Sequence, residues 1–525
     1  MPSDSPSDTA NVLNGVSCPT ATNCWAAGTQ RASGKLDQTL VEVWSPSTTS
    51  WVKVTSDNMF DPSDATTVNQ LNGVSCNSST NCWAVGWFSN DKSDPSTTWH
   101  DRGLGLGLHW NGTNGTFDPV KIPSAPAEGV NYKLTGVSCV NDGFCVAVGA
   151  KSTRESVGVA NGPNSFSGDE AFIALYNGAT WEDVSPEEPD VNAEQKAELN
   201  GVSCVDTSHC MAVGRNEDHQ PLAMETSGLD SQGNKVGGAE SDTWFTLTDV
   251  TKGESAEFNG VSCITANNCW AAGTFADDHV DQSDKDLVDQ ALIGHWVGDG
   301  THDGTGGNWN LADNLNSLSS NNPSEVDNEL NGIHCESATL CFAVGSYDFG
   351  QVDTEDSPGT DQTLIDQFNG TSWSLSVANS GPPTNRTTDA LDNELQDNEL
   401  NGVDCLDVNN CVGVGEFDGG PPPVSNIEAP VTAAPDESPA EPNTDTLVLM
   451  WGNPTPGTTG TPSPPPSNQP GGGTGTGSTP STSVQAAKVP VPATGGGGAL
   501  PLILLAGAGV ASLGSGIVLI RSRKR

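Results

Sequence analysis

One phrase of sixteen residues recurs seven times along the chain and constrains its fold more than any other feature. The first copy reads LNGVSCPTATNCWAAG. The copies begin at Leu13, Leu71, Leu134, Leu199, Phe258, Leu330 and Leu400. The first cysteines of successive copies are 58 to 72 residues apart. A phrase that returns at this interval indicates an array of similar supersecondary units.

Each repeat predicts four short antiparallel strands. The phrase itself supplies two, GVSC and CWAVG, joined by a polar loop of five residues. A weaker second phrase follows and is clearest as TLVEVWSPSTTSWVKV from Thr39, AFIALYNGATWEDV from Ala171 and TLIDQFNGTSWSLSV from Thr363. It predicts two further strands, with hairpin turns at Asn177-Gly178 and Asn369-Gly370, because Asn-Gly accepts the positive φ of a tight turn.

Seven such units predict an all-β fold: a seven-bladed β-propeller with four-stranded antiparallel blades over residues 1–452, since radial packing protects the edges of the sheets. Small residues at Gly15, Ala26 and Gly28 suit strands near a crowded central axis. The aromatic positions suit faces packed between neighbouring blades. A linear β-solenoid is the main alternative, although its coils are usually shorter and its strands parallel.

The seventh repeat lacks a fourth strand in the sequence pattern. TLVLMW from Thr446 supplies a third strand, and no fourth follows. The opening residues MPSDSPSDTANV contain neither a signal peptide nor an apolar strand. One hypothesis explains both features: the natural chain begins upstream with a signal peptide and a closing strand. The alternative is a ring closed by the three strands of the seventh blade.

All fourteen cysteines lie in the repeats as C-x5-C pairs, and none is left over. Two cysteines that flank a hairpin loop can face each other at disulfide distance. Complete pairing predicts seven disulfides and an oxidising compartment. Reduced core cysteines and metal ligands are the alternatives, although zinc sites favour closer spacing. The predicted pairs are Cys18 with Cys24, Cys76 with Cys82, Cys139 with Cys145, Cys204 with Cys210, Cys263 with Cys269, Cys335 with Cys341 and Cys405 with Cys411.

The charge excludes some partners. Lys and Arg number 20 and Asp and Glu number 66, which gives a net charge of −46. Nucleic acid and anionic membrane surfaces need clusters of basic residues, so neither is an expected partner of the repeats.

The C-terminal part has three sections. Residues 453–490 are rich in Pro, Gly, Ser and Thr and predict a disordered stalk. Residues 491–525 hold Val491-Pro492-Ala493-Thr494-Gly495, an apolar span over 499–520 and a basic tail over 521–525. Twenty-two largely apolar residues are long enough to cross a bilayer as a helix, with the basic tail in the cytoplasm.

This order of motifs resembles the cell-wall sorting signal of Gram-positive surface proteins, Leu-Pro-x-Thr-Gly, with Val491 in place of Leu. The resemblance implies that a sortase cleaves between Thr494 and Gly495 and transfers the chain to a peptidoglycan precursor. A permanent single-pass membrane anchor is the alternative. The repeats resemble those of secreted propeller proteins of actinobacterial type.

The sequence presents no catalytic constellation: nucleophile elbows, phosphate loops and zinc-protease motifs do not occur in a suitable context. We therefore expect no catalytic residues, no cofactor and no metal site. Calcium is the one exception considered, at the acidic segments DDHVDQSDKDLVD from Asp277 and RTTDALDNELQDNE over 386–399. Trp87 and Trp99 are candidate sugar-stacking residues if exposed.

These features predict a protein displayed at the cell surface and anchored to the cell wall. Its expected role is adhesion or binding of a ligand, either a glycan or a protein, without catalysis. The alternatives are an extracellular carbohydrate-directed hydrolase on a propeller scaffold and a membrane-anchored structural spacer. A hydrolase predicts one cluster of His, carboxylate or Arg side chains that breaks the symmetry of the repeats.

Overall fold

The computed structural model describes most of the chain between residues 8 and 451. The described ranges are 8–32, 36–46, 50–59, 67–89, 103–112, 117–127, 130–153, 169–185, 197–226, 244–247, 255–277, 288–298, 307–312, 328–348, 361–375, 398–407, 410–419 and 443–451. The stalk and the sorting signal lie outside these ranges.

Seven antiparallel blades follow one another along the chain, as the repeats predict, and a parallel bridge joins the last blade to the first in one seven-stranded sheet. Blade one has β1 (Asp8–Thr20), β2 (Asn23–Ala32), β3 (Gln38–Ser45) and β4 (Ser50–Lys53). Blade two has β5 (Val68–Ser78), β6 (Asn81–Ser89), β7 (Leu104–Trp110) and β8 (Asp118–Ile122). Blade three has β9 (Val130–Asn141), β10 (Phe144–Thr153), β11 (Asp169–Tyr176) and β12 (Trp181–Asp183). Blade four has β13 (Ala197–Asp206), β14 (His209–Asn216), β15 (Pro221–Thr226) and β16 (Trp244–Leu247).

Three further blades complete the fold. Blade five has β17 (Ser255–Thr265), β18 (Asn268–Asp277), β19 (Val288–Val297) and β20 (Asn308–Ala312). Blade six has β21 (Asn328–Ser337), β22 (Leu340–Asp348), β23 (Asp361–Phe368) and β24 (Trp373–Leu375). Blade seven has β25 (Asn398–Asp407), β26 (Asn410–Gly419) and β27 (Asn443–Trp451). The chain is thus a seven-bladed propeller, with six blades of four strands and three described strands in the seventh.

A β-bulge in the first strand of every blade explains the repeated Leu-Asn-Gly. In blade one the pairing of β1 with β2 skips from Leu13 to Gly15, so Asn14 has no partner in its own sheet. The bulge brings the first strand close to the second, where a Cβ on Gly28 would lie 1.9 Å from the Val12 carbonyl oxygen. Neighbouring backbone therefore excludes a side chain at position 28.

The bulged residues join the blades into a closed ring. Asn14 Nδ2 donates to the Leu71 carbonyl of blade two at 2.6 Å. The same bond recurs at every junction, and in blade three a threonine hydroxyl replaces the amide. The bond from Asn401 returns to the first blade, which is incompatible with a linear stack. The further bonds are Asn72 to Leu134, Thr135 to Leu199, Asn200 to Phe258, Asn259 to Leu330, Asn331 to Leu400 and Asn401 to Leu13.

The core is divided among the junctions between blades. Seven apolar clusters occur in the described residues, and each combines side chains from two adjacent blades, including blades seven and one. Trp25 illustrates the arrangement, because its ring lies 4.9 Å from that of Trp110 in the next blade. The prediction that aromatic residues occupy the faces between blades is confirmed.

All seven predicted disulfides are present, and the described residues contain no free cysteine. The paired Cα atoms lie 4.0 to 4.1 Å apart across the first two strands of each blade. The bonds join Cys18 to Cys24, Cys76 to Cys82, Cys139 to Cys145, Cys204 to Cys210, Cys263 to Cys269, Cys335 to Cys341 and Cys405 to Cys411.

The loop of five residues predicted between the paired cysteines is wrong. The first strand continues for two residues beyond its cysteine, and the second strand begins one residue before its own. Only two residues therefore remain outside the strands, because the ladder closes in a tight turn. The cysteines that lie second in their strands are Cys24, Cys82, Cys145, Cys210, Cys269, Cys341 and Cys411.

The predicted Asn-Gly turns are longer than expected. Gly178 and Gly370 do adopt positive φ, at 88° and 91°. However, the loops contain four residues, and the asparagine side chain stabilises them: Asn177 Oδ1 accepts from the N–H groups of Ala179 and Thr180. The asparagine therefore acts as an Asx-turn acceptor.

Candidate functional site

A second set of hydrogen bonds joins neighbouring blades, three residues after the bulged asparagine of each phrase. It contains the clearest departure from the sevenfold repeat. In five blades the serine before the first cysteine accepts a bond from the backbone N–H of a cysteine in the next blade. Blades six and seven carry His334 and Asp404 at this position. The serine bonds run from Cys76 to Ser17, Cys139 to Ser75, Cys204 to Ser138, Cys263 to Ser203 and Cys335 to Ser262, at 2.9 to 3.0 Å.

His334 and Asp404 connect three blades. His334 Nδ1 in blade six lies 2.9 Å from Asp404 Oδ1 in blade seven. Asp404 Oδ2 accepts from the Cys18 N–H of blade one at 2.6 Å. At this distance the two side chains form an ion pair between neighbouring blades. Glu336, which is exposed, contributes a third charge with Oε2 at 3.9 Å from His334 Nε2.

The charge of His334 follows from its surroundings. Burial lowers its pKa, but the Asp404 carboxylate outweighs burial and, with a smaller contribution from Glu336, raises the pKa of His334 to about 9. The imidazole is therefore positively charged at neutral pH. A protonated histidine cannot act as a general base, and both His334 and Asp404 are only 2% exposed. The symmetry break is thus an internal ion pair rather than a hydrolytic centre.

A charged network lies at the other end of the first strands, where they begin. Glu198 in blade four lies between Lys133 of blade three, at 3.8 Å, and Arg215, at 3.6 Å. Arg215 NH1 also lies 3.4 Å from Glu257 Oε2 in blade five. All four side chains are less than one fifth exposed. The network links three consecutive blades near the axis.

Blades two and five share a paired imidazole and indole. His109 stacks on Trp83 with ring centroids 4.2 Å apart, and His295 stacks on Trp270 at 3.8 Å. Each histidine donates from Nε2 to an asparagine, as His109 does to Asn81 at 2.7 Å. Burial lowers the pKa of both histidines, so they are neutral at pH 7. Both indoles are buried and the histidines are half-buried, so the stacks support the fold.

One buried carboxyl group has no hydrogen-bond partner at Oδ2 among the described residues: Asp366, on the third strand of blade six. It is 2% exposed, and burial raises its pKa to about 7. It faces the apolar junction between blades five and six, opposite Ala343. The group has no route to a substrate, so it affects stability rather than chemistry.

A shallow depression lies between blades four and five at the disulfide end. Its cavity volume is only about 10 Å³, and its lining includes His209, Glu225 and Thr226. Ligand pockets usually enclose at least about 300 Å³. The Nδ1 atom of His209 is hydrogen-bonded to Asp206 Oδ1 at 2.9 Å. This depression therefore does not fit a small-molecule site.

The structure describes only some of the predicted site residues. Trp87, a candidate for sugar stacking only if exposed, does not meet that condition: it is 9% exposed, and its Nε1 donates to Gln70 Oε1 at 3.1 Å. Trp99 and most of both acidic segments proposed for calcium lie outside the described residues. So do Val491, Pro492, Ala493, Thr494 and Gly495.

The described residues contain no group of three or more His, Cys, Asp or Glu side chains placed to hold a metal ion. They also contain no helix of the length and apolarity needed to cross a bilayer. The apolar span predicted over 499–520 lies beyond residue 451.

The chain matches no protein-family model and no curated protein sequence.

The spacing of the repeats does not predict the network of His334, Asp404 and Cys18. Asp404 lies 70 positions after His334 along the chain, and Cys18 lies 386 positions before Asp404. An alignment of the seven phrases could have indicated this contact. His334 and Asp404 occupy the same column of that alignment, and they belong to adjacent blades.

Proposed function

We propose that the chain is a propeller displayed at the cell surface and anchored to the cell wall, where it binds an extracellular glycan or protein without catalysis. Seven disulfides support an oxidising, extracytoplasmic compartment. The sorting-signal resemblance over 491–525 supports the anchor, and the Pro-rich and Gly-rich stretch 453–490 supports a stalk between them.

The difference between the two ends of the ring carries this proposal. At the disulfide end, only two residues separate the first strand from the second in every blade. Connections from the second strand to the third, and from one blade to the next, leave at the opposite end. They include 154–168, 313–327, 376–397 and 420–442. Long connections on a rigid scaffold are where binding residues concentrate.

The same end carries most of the chain's acidic excess. Asp and Glu far outnumber Lys and Arg in its connections, whereas the connections at the disulfide end, which include the two-residue turns and the segments 227–243 and 298–307, hold far fewer charged residues. A surface of this charge favours ligands that are neutral or cationic, such as neutral glycans or basic protein segments, and disfavours polyanions. We therefore place the binding surface at the end of the long connections.

Two shortened variants test this assignment. Residues 1–452 are secreted with their disulfides and screened on a glycan array, on matrix proteins and on whole cells. In one variant the connection 420–442 is replaced by the four residues of 217–220, which join the same two strands in blade four. In the control, 227–243 at the disulfide end is replaced by the turn 177–180.

We expect the first replacement to weaken binding of the identified ligand by about tenfold or more, because it removes contact surface. The control replacement should leave binding within about twofold of the parent. Loss of binding in the control alone would move the site to the disulfide end and contradict this assignment. Failure of the parent to bind any glycan, matrix protein or cell would favour the structural-spacer alternative.

Anchoring is tested separately through the sorting motif. Replacing Thr494 with Ala removes the residue whose carbonyl a sortase attacks, so the protein should leave the covalent wall fraction and accumulate in membrane and medium. Exchange of Ala493 is the matched control, because the motif accepts any residue there. Covalent wall attachment that survives Thr494→Ala would exclude the sortase mechanism and favour a permanent membrane anchor.

A further inference from the structure

The third strand of blade seven forms an outer edge that the other blades do not have. In blades one to six a fourth strand pairs antiparallel with the third. In blade seven β27 pairs with β26 along nine residues and touches β1 through a single bridge between Ala10 and Thr444. Beyond that bridge, no strand of the described ranges pairs with the outer side of β27.

Side-chain exposure marks the same edge. Met450 pairs with Val412 of β26 and is 47% exposed. The residues at the equivalent position in the other blades are buried or half-buried. In those blades the fourth strand covers the position, and the exposure of Met450 agrees with the lack of a described strand beside it. The equivalent residues are Val43, His109, Leu175, Glu225, His295 and Gln367.

The six complete blades show what fits this edge. In five of them the fourth strand places a tryptophan opposite the residue that corresponds to position 451. In blade two, Phe117 packs on Trp110, with ring centroids 5.6 Å apart. The five pairs are Trp44 with Trp51, Tyr176 with Trp181, Thr226 with Trp244, Trp296 with Trp309 and Phe368 with Trp373.

Backbone geometry indicates how such a strand pairs. Val54 N–H donates to the Val41 carbonyl at 2.8 Å, and Val184 N–H donates to the Ile173 carbonyl at 2.9 Å. Hydrogen-bonded pairs alternate along an antiparallel ladder. The residue two positions after Val41 or Ile173 therefore also directs its N–H and C=O groups outward. In β27 that position is Met450, which makes it the centre of the open edge.

We propose that the outer edge of β27 binds an extended segment of a partner polypeptide as a fourth, antiparallel strand, with a tryptophan of the partner opposite position 451. Exposed edges of this kind template strand addition, in which backbone bonds give affinity and side-chain positions give specificity. Residues 1–7 and 452–525 contain no Trp, Phe or Tyr, so neither segment carries the aromatic residue that the fourth strands of the other blades supply. A basic residue in the partner strand suits the net charge of −46.

A peptide taken from blade one serves as the probe. Residues 48–54, TTSWVKV, contain the fourth strand of a complete blade with its tryptophan and a lysine. Fluorescein-labelled TTSWVKV is titrated with the full 525-residue chain in mild detergent, and fluorescence anisotropy is recorded. We expect saturable binding. Replacing Trp51 in the peptide with Ala should weaken it about tenfold or more, and replacing Val52 with Pro should abolish it, because proline removes the central backbone donor.

A charge exchange across the strand pair tests the position. By the register of blade one, Met450 lies opposite the peptide residue Val52. Met450→Asp should weaken TTSWVKV about threefold to fivefold, and the peptide with Val52→Lys should recover that loss. Val297→Asp is the control, since Val297 is also 47% exposed but lies on a third strand that β20 already covers. It should leave the affinity unchanged.

Three outcomes would overturn the proposal. If the wild-type chain did not bind the peptide, a segment of the same chain would already fill the edge. If light scattering showed a dimer that Met450→Asp dissociates, a second copy would be the occupant. If Val297→Asp weakened binding as much as Met450→Asp, or the Val52→Lys peptide failed to compensate, the peptide would bind elsewhere.

Discussion

At the scale of single residues, the asparagine of Leu-Asn-Gly has two linked roles. It occupies a β-bulge, where it has no partner in its own sheet, and its side chain bonds to the backbone of the next blade. The repeat itself shows which property matters, because Thr135 makes the same bond through a hydroxyl group at 2.7 Å. A short side chain with a hydrogen-bond donor is therefore the requirement, and the amide as such is not.

This requirement predicts a difference between two substitutions in blade four. Asn200→Ala removes the donor to the buried Phe258 carbonyl and should lower the free energy of unfolding by about 1–2 kcal/mol. Asn200→Thr copies the arrangement of blade three and should stay within about 0.5 kcal/mol of wild type. Guanidinium unfolding measures both. Equal losses for the two variants would contradict the assigned role.

The ion pair of His334 and Asp404 predicts a loss of stability at alkaline pH. The pKa of His334 is about 9 in the folded chain against 6.5 for the free side chain, so its contribution is complete below pH 6.5 and disappears as pH rises through 9. Between about pH 7.5 and 9.5 the wild-type chain should lose about 2 kcal/mol of unfolding free energy from this group. Asp366, with a pKa of about 7, has largely ionised before this window begins.

The serine of the other blades provides the control for this prediction. The double variant His334→Ser, Asp404→Ser restores the residue found in five repeats and should show little change over the same pH window. Asp404→Ser alone leaves a histidine buried without its carboxylate and should destabilise the chain by about 3 kcal/mol at about pH 7.5. The same alkaline loss in the double variant as in wild type would assign the effect to other groups.

At the scale of the blade, strands and disulfides were predictable because their signals are local. The C-x5-C spacing predicted all seven disulfides, and the two phrases predicted the four strand positions of a blade. Other details depend on side-chain hydrogen bonds that the spacing of residues does not reveal. The four-residue turn after Tyr176 depends on the Asn177 side chain accepting two backbone bonds. Trp87 ends in the interior because Gln70 on the adjacent strand binds its indole.

Each disulfide should stabilise its own blade independently. Replacing Cys204 and Cys210 with Ala should lower the unfolding free energy by about 2 kcal/mol, the value expected for closing so short a loop. Removing Cys18 and Cys24 as well should double the loss, because the two blades share no junction. Denaturant unfolding measures the losses, and peptide mapping confirms the remaining pairs. An unchanged stability would show that the bonds do not constrain the chain.

At the scale of the whole molecule, the repeats predicted the number of blades but not how the last meets the first. Closure depends on contacts between residues almost four hundred positions apart, such as Asn401 with Leu13 and Asp404 with Cys18. The pattern did indicate three strands in the seventh repeat, and β27 is the outermost described strand there. The contacts that close the ring could not be read from repeat spacing, because they arise only when blades seven and one meet.

The most direct test of the account is a cross-link at the junction of blades seven and one. Ala10 on β1 and Thr444 on β27 are neighbours across a parallel bridge. In the variant Ala10→Cys, Thr444→Cys, a closed ring predicts a new disulfide between positions 10 and 444, found by peptide mapping with the seven native pairs intact. Ala10→Cys with Pro221→Cys, which places the second thiol at the start of the third strand in blade four, should leave both thiols free. Two free thiols at 10 and 444 would contradict the closed propeller.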